Sequence, residues 1–258
     1  MSYNYLKVEK IDKILIVTMN RPEVYNAIHS PMHHEMANVW DDFATDPDLW
    51  VAILTGEGAK AFSAGNDLKY TSQGGKEKIC ETGFAGLSLR FNLEKPIIAA
   101  VNGFAMGGGF ETALACDFII ASENATFALP EVKVGFFAAA GGVQRLTRQI
   151  GRNAAVEMLL TGRHIGAKEA LSLGIVSKIV EQNKLLSTAI EKASQIVAVS
   201  PSAVKATKKI LNSMDSDLNL KESLFYSKEV LNELRNTEDF SEGVSAFVEK
   251  RTPRWKNR

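Results

Sequence analysis

Two glutamates, Glu111 and Glu131, sit among apolar neighbours, and three consecutive glycines, Gly107 to Gly109, come just before the first of them. A carboxylate out of water is costly unless paired or hydrogen-bonded, and burial raises its pKa. Two such groups beside one pocket can pass protons to and from a bound molecule near neutral pH. Glycines let the backbone take conformations that side chains forbid, and let a ligand approach the main chain. A helix opening at such a turn presents N–H groups with no internal partner, and its positive end favours a developing oxyanion. Taken singly, Glu111 reads more simply as a helix N-terminal charge and Glu131 as a surface loop residue. Together with the glycine turn they read as an acid–base pair beside an oxyanion donor.

The elements that must position these groups surround them. Ile97-Ile98-Ala99-Ala100-Val101 is a short apolar run bounded by Pro96 and by Asn102-Gly103, as suits a strand buried on both faces. A helix through residues 110–115, a second buried strand and a loop ending in Pro130-Glu131 follow. Upstream, residues 5–9 and 14–19 read as strands joined by a turn at 10–13, and Asn20-Arg21-Pro22 stops the second. A helix is predicted over residues 31–43, with Ser30 as N-cap and Pro31 in the first turn. His33 and His34 are adjacent and face differently on that helix, so they do not pair as metal ligands. With His29 they read as surface residues. Residues 51–55 form another buried strand ending at Gly56. The small-residue turn that follows, Ser63-Ala64-Gly65-Asn66, lets N–H groups face a cleft, and Asp67 caps the next helix.

Residues 70–85 are polar and glycine-containing and read as a mobile loop, and residues 88–93 as a helix leading back to the central strand. Further helices are predicted at 153–160 and at 167–173, the second ending at Gly174. Three amphipathic helices follow at 184–199, 201–214 and 220–234. These three have no sheet partner in the sequence and must bury their apolar stripes on the core or on another subunit. The chain divides on this reading into a core, 1–195, and a helical region, 196–258.

The stretch GFAMGGGFETALACDFIIASENATFALPEVKVG resembles the signature of the enoyl-CoA hydratase/isomerase (crotonase) superfamily, and the likeness extends over nearly the whole chain. Within it, TGFAGLSLRFNLEKPIIAAVNGFAMGGGFETALACDF and the closing FVEKRTPRWKNR resemble the crotonobetainyl-CoA hydratase branch. The resemblance implies an α/β fold, a crotonase (ClpP-like) spiral of ββα units with a C-terminal helical trimerisation region. It implies a homotrimer or homohexamer acting on an acyl-CoA, with coenzyme A part of the substrate and no metal or redox cofactor required. It assigns water activation to Glu111 and α-carbon proton transfer to Glu131, and the oxyanion hole to the N–H groups of Asn66 and Gly108. Asn26 and Ala27 match the family pattern NRPxxxNA near the bound CoA. Ala64, Gly65, Asp67, Leu68 and Gly107 fall in the CoA- and oxyanion-contacting segments. Phe84 and Phe136 fall where the acyl group is covered, and Lys250 on a last helix that lies near a neighbouring subunit's CoA. Family members usually carry a proline where Ala138 stands, and often a glycine or acidic residue at Ala139. Two alanines there put the shape of the acyl pocket in question. A carnitine-type acyl group carries a quaternary ammonium, which favours aromatic faces such as Phe84, Phe136 and Phe137.

Bulk properties narrow the alternatives. Lys plus Arg and Asp plus Glu number 30 each, so net charge gives no reason to expect a nucleic-acid partner. Two cysteines, Cys80 and Cys116, show no metal or redox spacing. No stretch approaches membrane-spanning length, the start MSYNYLKVEK is too charged for a secretory signal, and we read the protein as cytoplasmic. A dinucleotide-binding module lacks its third glycine here, since Gly107-Gly108-Gly109-Phe110-Glu111-Thr112 does not fit G-x-G-x-x-G. A non-catalytic scaffold has no use for both glutamates. A CoA-ester isomerase or hydrolase stays open, because one oxyanion hole serves all of these reactions.

Overall fold

The computed structural model describes residues 3–76, 78–214 and 219–258. Among the described residues, ten strands run in chain order: β1 (Leu6–Ile11), β2 (Ile14–Met19), β3 (Val51–Gly56), β4 (Ala61–Ser63), β5 (Ile97–Val101), β6 (Phe104–Met106), β7 (Phe118–Ser122), β8 (Thr126–Ala128), β9 (Ile165–Gly166) and β10 (Lys178–Val180). Among them lie helices α1 (Ser30–Thr45), α2 (Leu68–Ser72), α3 (Gly108–Leu114), α4 (Gly142–Gln149), α5 (Arg152–Thr161), α6 (Ala167–Ser172) and α7 (Leu185–Val197). Helices α8 (Pro201–Met214), α9 (Leu220–Arg235) and α10 (Glu238–Glu249) close the chain.

The strands make two sheets, a large one in the order β1-β2-β3-β5-β7-β10 and a small one in the order β4-β6-β8-β9. The chain lays a strand in the large sheet, then a three-residue strand in the small one, and steps up: β3 to β4, β5 to β6, β7 to β8. The parallel registers Ile53↔Ile98 and Ala99↔Ile119 on one side, with Phe104↔Thr126 on the other, record the constant rise of this spiral. Buried asparagines stitch its turns. Asn102 Nδ2 donates to the carbonyls of Gly56 and Gly58, and its Oδ1 accepts from Gly56 N–H.

The large sheet is covered on both faces, which is why its central strands carry almost no polar residue. Ile14, Ile16, Ile53, Ile98 and Ile120 face one cluster with Leu185, Ala189 and Ala193 of α7. The alternate residues Leu15, Val17, Leu54, Ala99 and Ile119 face the main core with Trp40 and Phe43 of α1. Among the described residues no helix is long and apolar enough to cross a membrane.

Several expectations need correction. Ser30 is not the cap of α1: His29 holds the N-cap position without a side-chain bond, and Ser30 Oγ instead bonds the N–H and carbonyl of Lys78. His29 and His33 are buried, not on the surface, and His34 alone of that cluster is exposed. Residues 88–93 form turns in place of a helix. Helix α7 packs on the large sheet, so of the three partnerless helices only α8 and α9 stand off it, and they pack on each other with α10. Glu77, in the 70–85 loop, and Met1-Ser2 of the N-terminal stretch lie outside the described residues.

Candidate active site

Three successive turns of the spiral deliver the candidate residues. Each comes just after a strand of the small sheet: Gly65-Asn66 after β4, Gly107-Gly108 after β6, Pro130-Glu131 after β8. Strand pairing fixes the first. Ile28 N–H donates to Gly65 O at 2.8 Å, and Asp67 N–H donates to Ile28 O at 3.0 Å. In such a parallel bridge the intervening residue directs its own N–H to the opposite side, so Asn66 N–H points away from Ile28. Gly65 has φ +88°, and a Cβ built on it would lie 2.9 Å from Gly108 N. The two turns therefore touch, and only glycine fits at position 65.

Gly107 has φ +53° and donates to Ala128 O at 2.9 Å. Helix α3 opens at Gly108, whose N–H belongs to the first turn and has no partner inside the helix. Thr112 Oγ1 takes up the Gly108 carbonyl at 2.7 Å, fixing the peptide. A side chain is unfavourable at either glycine. A Cβ on Gly108 would enter the Phe84 ring, and one on Gly107 would stand 3.0 Å from Glu131 Oε1.

The two carboxyls converge on this turn from different elements. Glu111 lies in the first turn of α3 and is 3 % exposed. Its Oε1 accepts from Gly142 N–H at 2.8 Å. Burial pushes its pKa up to about 7, opposed by the Gly142 bond, reinforced by the charge of Glu131, and opposed further by Ala140 N–H and the Arg145 guanidinium. Glu131 sits in the 3-10 turn Pro130–Val134. Burial raises its pKa as well, and its Oε2 is buried with no hydrogen-bond partner among the described residues. Two acids with raised pKa thus flank one glycine turn. A separate cavity of about 380 Å³, lined by Leu87, Arg90, Cys116, Arg145 and Lys208 among others, lies at the far end of α3 and holds neither glutamate.

The other singled-out residues divide by place. Asp67 caps α2 by accepting from Tyr70 N–H at 3.0 Å, and pairs with Arg21 at 2.8 Å. Asn26 is fully buried and spends its side chain on main-chain groups of Arg21, Glu57 and Ala61, holding β4 in place. Ala27 is buried, while Ala64 and Leu68 are exposed beside the Gly65-Asn66 turn. Phe84 is buried against Gly108, and Phe136 and Phe137 are both exposed in the loop after Glu131. Ala138 is buried, and its Cβ would lie 2.9 Å from one added at Gly142. Lys250 is the left-handed C-cap of α10, a helix that packs on α8 and α9. Sequence reasoning missed the anchor that Gly142 supplies to Glu111, although the pair Gly141-Gly142 ahead of a helix was a signal for it.

The same architecture recurs in known proteins. The Enoyl-CoA hydratase/isomerase family model matches residues 9–258. The chain is 46 % identical over 259 residues to the carnitinyl-CoA dehydratase of Escherichia coli O157:H7, covering 98 % of each, and 45 % identical to that of Shigella flexneri with the same coverage. Among solved structures, the enoyl-CoA hydratase of Mycobacterium tuberculosis H37Rv superposes with a TM-score of 0.93 at 38 % identity, over 99 % of this chain and 100 % of that one. The enoyl-CoA hydratase of Bacillus anthracis does so at 0.90 and 34 %, over 99 % and 100 %. A spiral of two sheets, a glycine turn flanked by two acids, and likeness along the full length agree: the chain belongs to the enoyl-CoA hydratase/isomerase family.

Proposed function

We propose that the protein is a hydro-lyase that adds water across the double bond of a 2-enoyl-CoA thioester, and in reverse dehydrates a 3-hydroxyacyl-CoA. The observation that carries this reading is the convergence on the turn that holds Gly108 of Glu111, buried, and Glu131, half-buried with its Oε2 shielded from solvent, both raised in pKa. The thioester oxygen accepts from the N–H groups of Asn66 and Gly108, which stabilise the charge that grows on it. Glu111, ionised, takes a proton from water as the water oxygen bonds to the β-carbon. The π electrons pass through the α-carbon toward the thioester oxygen, giving an enolate-like state. Glu131, protonated, then delivers its proton to the α-carbon. Hydration leaves the two carboxyls with their roles exchanged, and one proton transfer through solvent resets them. Coenzyme A is carried by the substrate, and the scheme calls on no other cofactor.

Likeness to the carnitinyl-CoA dehydratases supports crotonobetainyl-CoA as the acyl-CoA. The exposed rings of Phe136 and Phe137, in the loop after Glu131, suit its trimethylammonium group. The same proposal includes the division near residue 195 and a homotrimer or homohexamer, in which α8, α9 and α10 bury their outer faces and Lys250 nears a neighbouring subunit's CoA. Support comes from Leu224 and Phe225 of α9 and Phe247 and Val248 of α10, large apolar side chains left exposed in the single chain.

The test is hydration of a panel of enoyl-CoA thioesters, including crotonyl-CoA and crotonobetainyl-CoA, by the protein and by Glu111→Gln and Glu131→Gln. Each variant is expected to lose about a hundredfold or more in kcat while its Kd for a CoA ester moves little. Near-native hydration by either variant would remove the two-carboxyl scheme.

A further inference from the structure

We propose that His33 is a positioning residue of the oxyanion hole, acting through Ala85 and Phe84 to fix the Gly107-Gly108 peptide. This rests on the assignment of Gly108 N–H to that hole. Phe84 lies in a turn of unusual backbone: Gly83, Ala85 and Gly86 have φ of +84°, +55° and +62°. Glycine accepts such values freely, but Ala85 does not, and needs outside support to hold them. One stripe of α1 supplies it. His33 Nδ1 accepts from Ala85 N–H at 2.9 Å, and Trp40 Nε1 donates to Ala85 O at 3.0 Å. Between these two, Gly86 is pressed so tightly against Ala37 that a Cβ would overlap the helix backbone. The spacing of His33, Ala37 and Trp40 puts all three on one face of the helix.

The result of the clamp is the place of the Phe84 ring. His33 meets it edge-on, with centroids 4.5 Å apart and planes at 77°. The tip of the Phe84 ring, around Cζ, lies against Gly108, where a Cβ would run into it. A movement of the turn is therefore passed to the peptide whose N–H faces the thioester oxygen. Because Nδ1 accepts, Nε2 carries the proton of the neutral ring, and that N–H is buried with no partner among the described residues. An unpaired buried donor is unfavourable, so a leucine would serve better were packing the only need. Burial also holds the ring neutral, its pKa lowered to about 4, which keeps Nδ1 available as an acceptor.

The experiment compares H33L, H33N, W40F and the double variant H33L/A85G. The readouts are kcat, KM and the red shift of a conjugated enoyl thioester, 3-phenylpropenoyl-CoA, on binding, which reports polarisation of the carbonyl. H33L is expected to lose about tenfold or more in kcat with KM nearly unchanged, and to lose most of the red shift. H33N keeps an acceptor near the Nδ1 position and should retain most of both. H33L/A85G should regain much of the shift, since glycine holds the turn without help. A purely structural role for His33 would lower the thermal midpoint and leave the shift of the bound chromophore intact, and that result overturns the clamp. W40F removes the second hydrogen bond and carries the test if H33L does not fold: a weakened shift supports the clamp, an unchanged one overturns it. A native enzyme that shows no red shift would instead overturn the oxyanion hole, and the clamp with it.

Discussion

Glu111 is held near the midpoint of its titration by burial on one side and the Gly142 N–H on the other. That poise has a consequence for stability. Its folded pKa lies above its unfolded value, so its contribution is complete below about pH 4.5 and is lost as pH rises through about 7. Glu111→Gln keeps the acceptor for Gly142 without the charge. At pH 8 it should be more stable than the native protein, by up to about 3 kcal/mol, and the gap should close toward pH 4.5; urea denaturation across that range measures it. Because Glu111 serves as the base, hydration should rise as pH climbs through about 7 and Glu111 ionises, and a pH–rate profile of hydration reads this directly. His33 shows the opposite sign, since its folded pKa is lowered to about 4, and its contribution is lost as pH falls from about 6.5. The two glutamates were legible in the sequence because apolar neighbours made them conspicuous. His33 was not, because a polar residue on a helix reads as solvated. The clue was its place seven residues before Trp40, on the stripe with Ala37, once one asks which face the other apolar residues of α1 choose.

Among the elements, the turn after β6 is closely constrained. Gly109 is packed so that a Cβ would overlap the Ser63 carbonyl, a main-chain group that cannot swing aside. Gly107 faces only the tip of Glu131, but its φ of +53° disfavours any side chain. The two should fail differently. Gly109→Ala should unfold or gravely weaken the protein, whereas Gly107→Ala should cost about 1–3 kcal/mol of stability, stay folded, and lose activity by displacing Glu131. Denaturation curves beside kcat separate the two outcomes. The long strands β2, β3, β5 and β7 were readable because each is an unbroken apolar run with punctuated ends. The small sheet was not. Strands of two or three residues show no period, and β4, β6, β8 and β9 exist only because the spiral brings them together. The predicted helix over 88–93 failed for a related reason: Arg90 and Ser88 serve the turn at Phe84, with Ser88 Oγ accepting from Phe84 N–H and Arg90 Nε donating to Gly86 O.

In the molecule as a whole, helices α7, α8 and α9 were legible from their periodicity, but not what they pack on, because an apolar stripe does not name its partner. Helix α7 chose the sheet, while α9 and α10 leave Phe225 and Phe247 exposed. Light scattering is expected to find three or six copies, and paired replacement of Leu224 and Phe247 by glutamate should give monomers with little hydratase activity. The spiral places both proposed donors, Asn66 N–H and Gly108 N–H, in the main chain after equivalent strands of consecutive turns. No codon change short of proline can delete a peptide N–H; it can only shift it. Divergence of substrate preference is thereby confined to the lining, while the grip on the thioester passes intact through almost any substitution the fold survives. Removing that grip cleanly would take chemical synthesis, with an ester replacing the amide at residue 108.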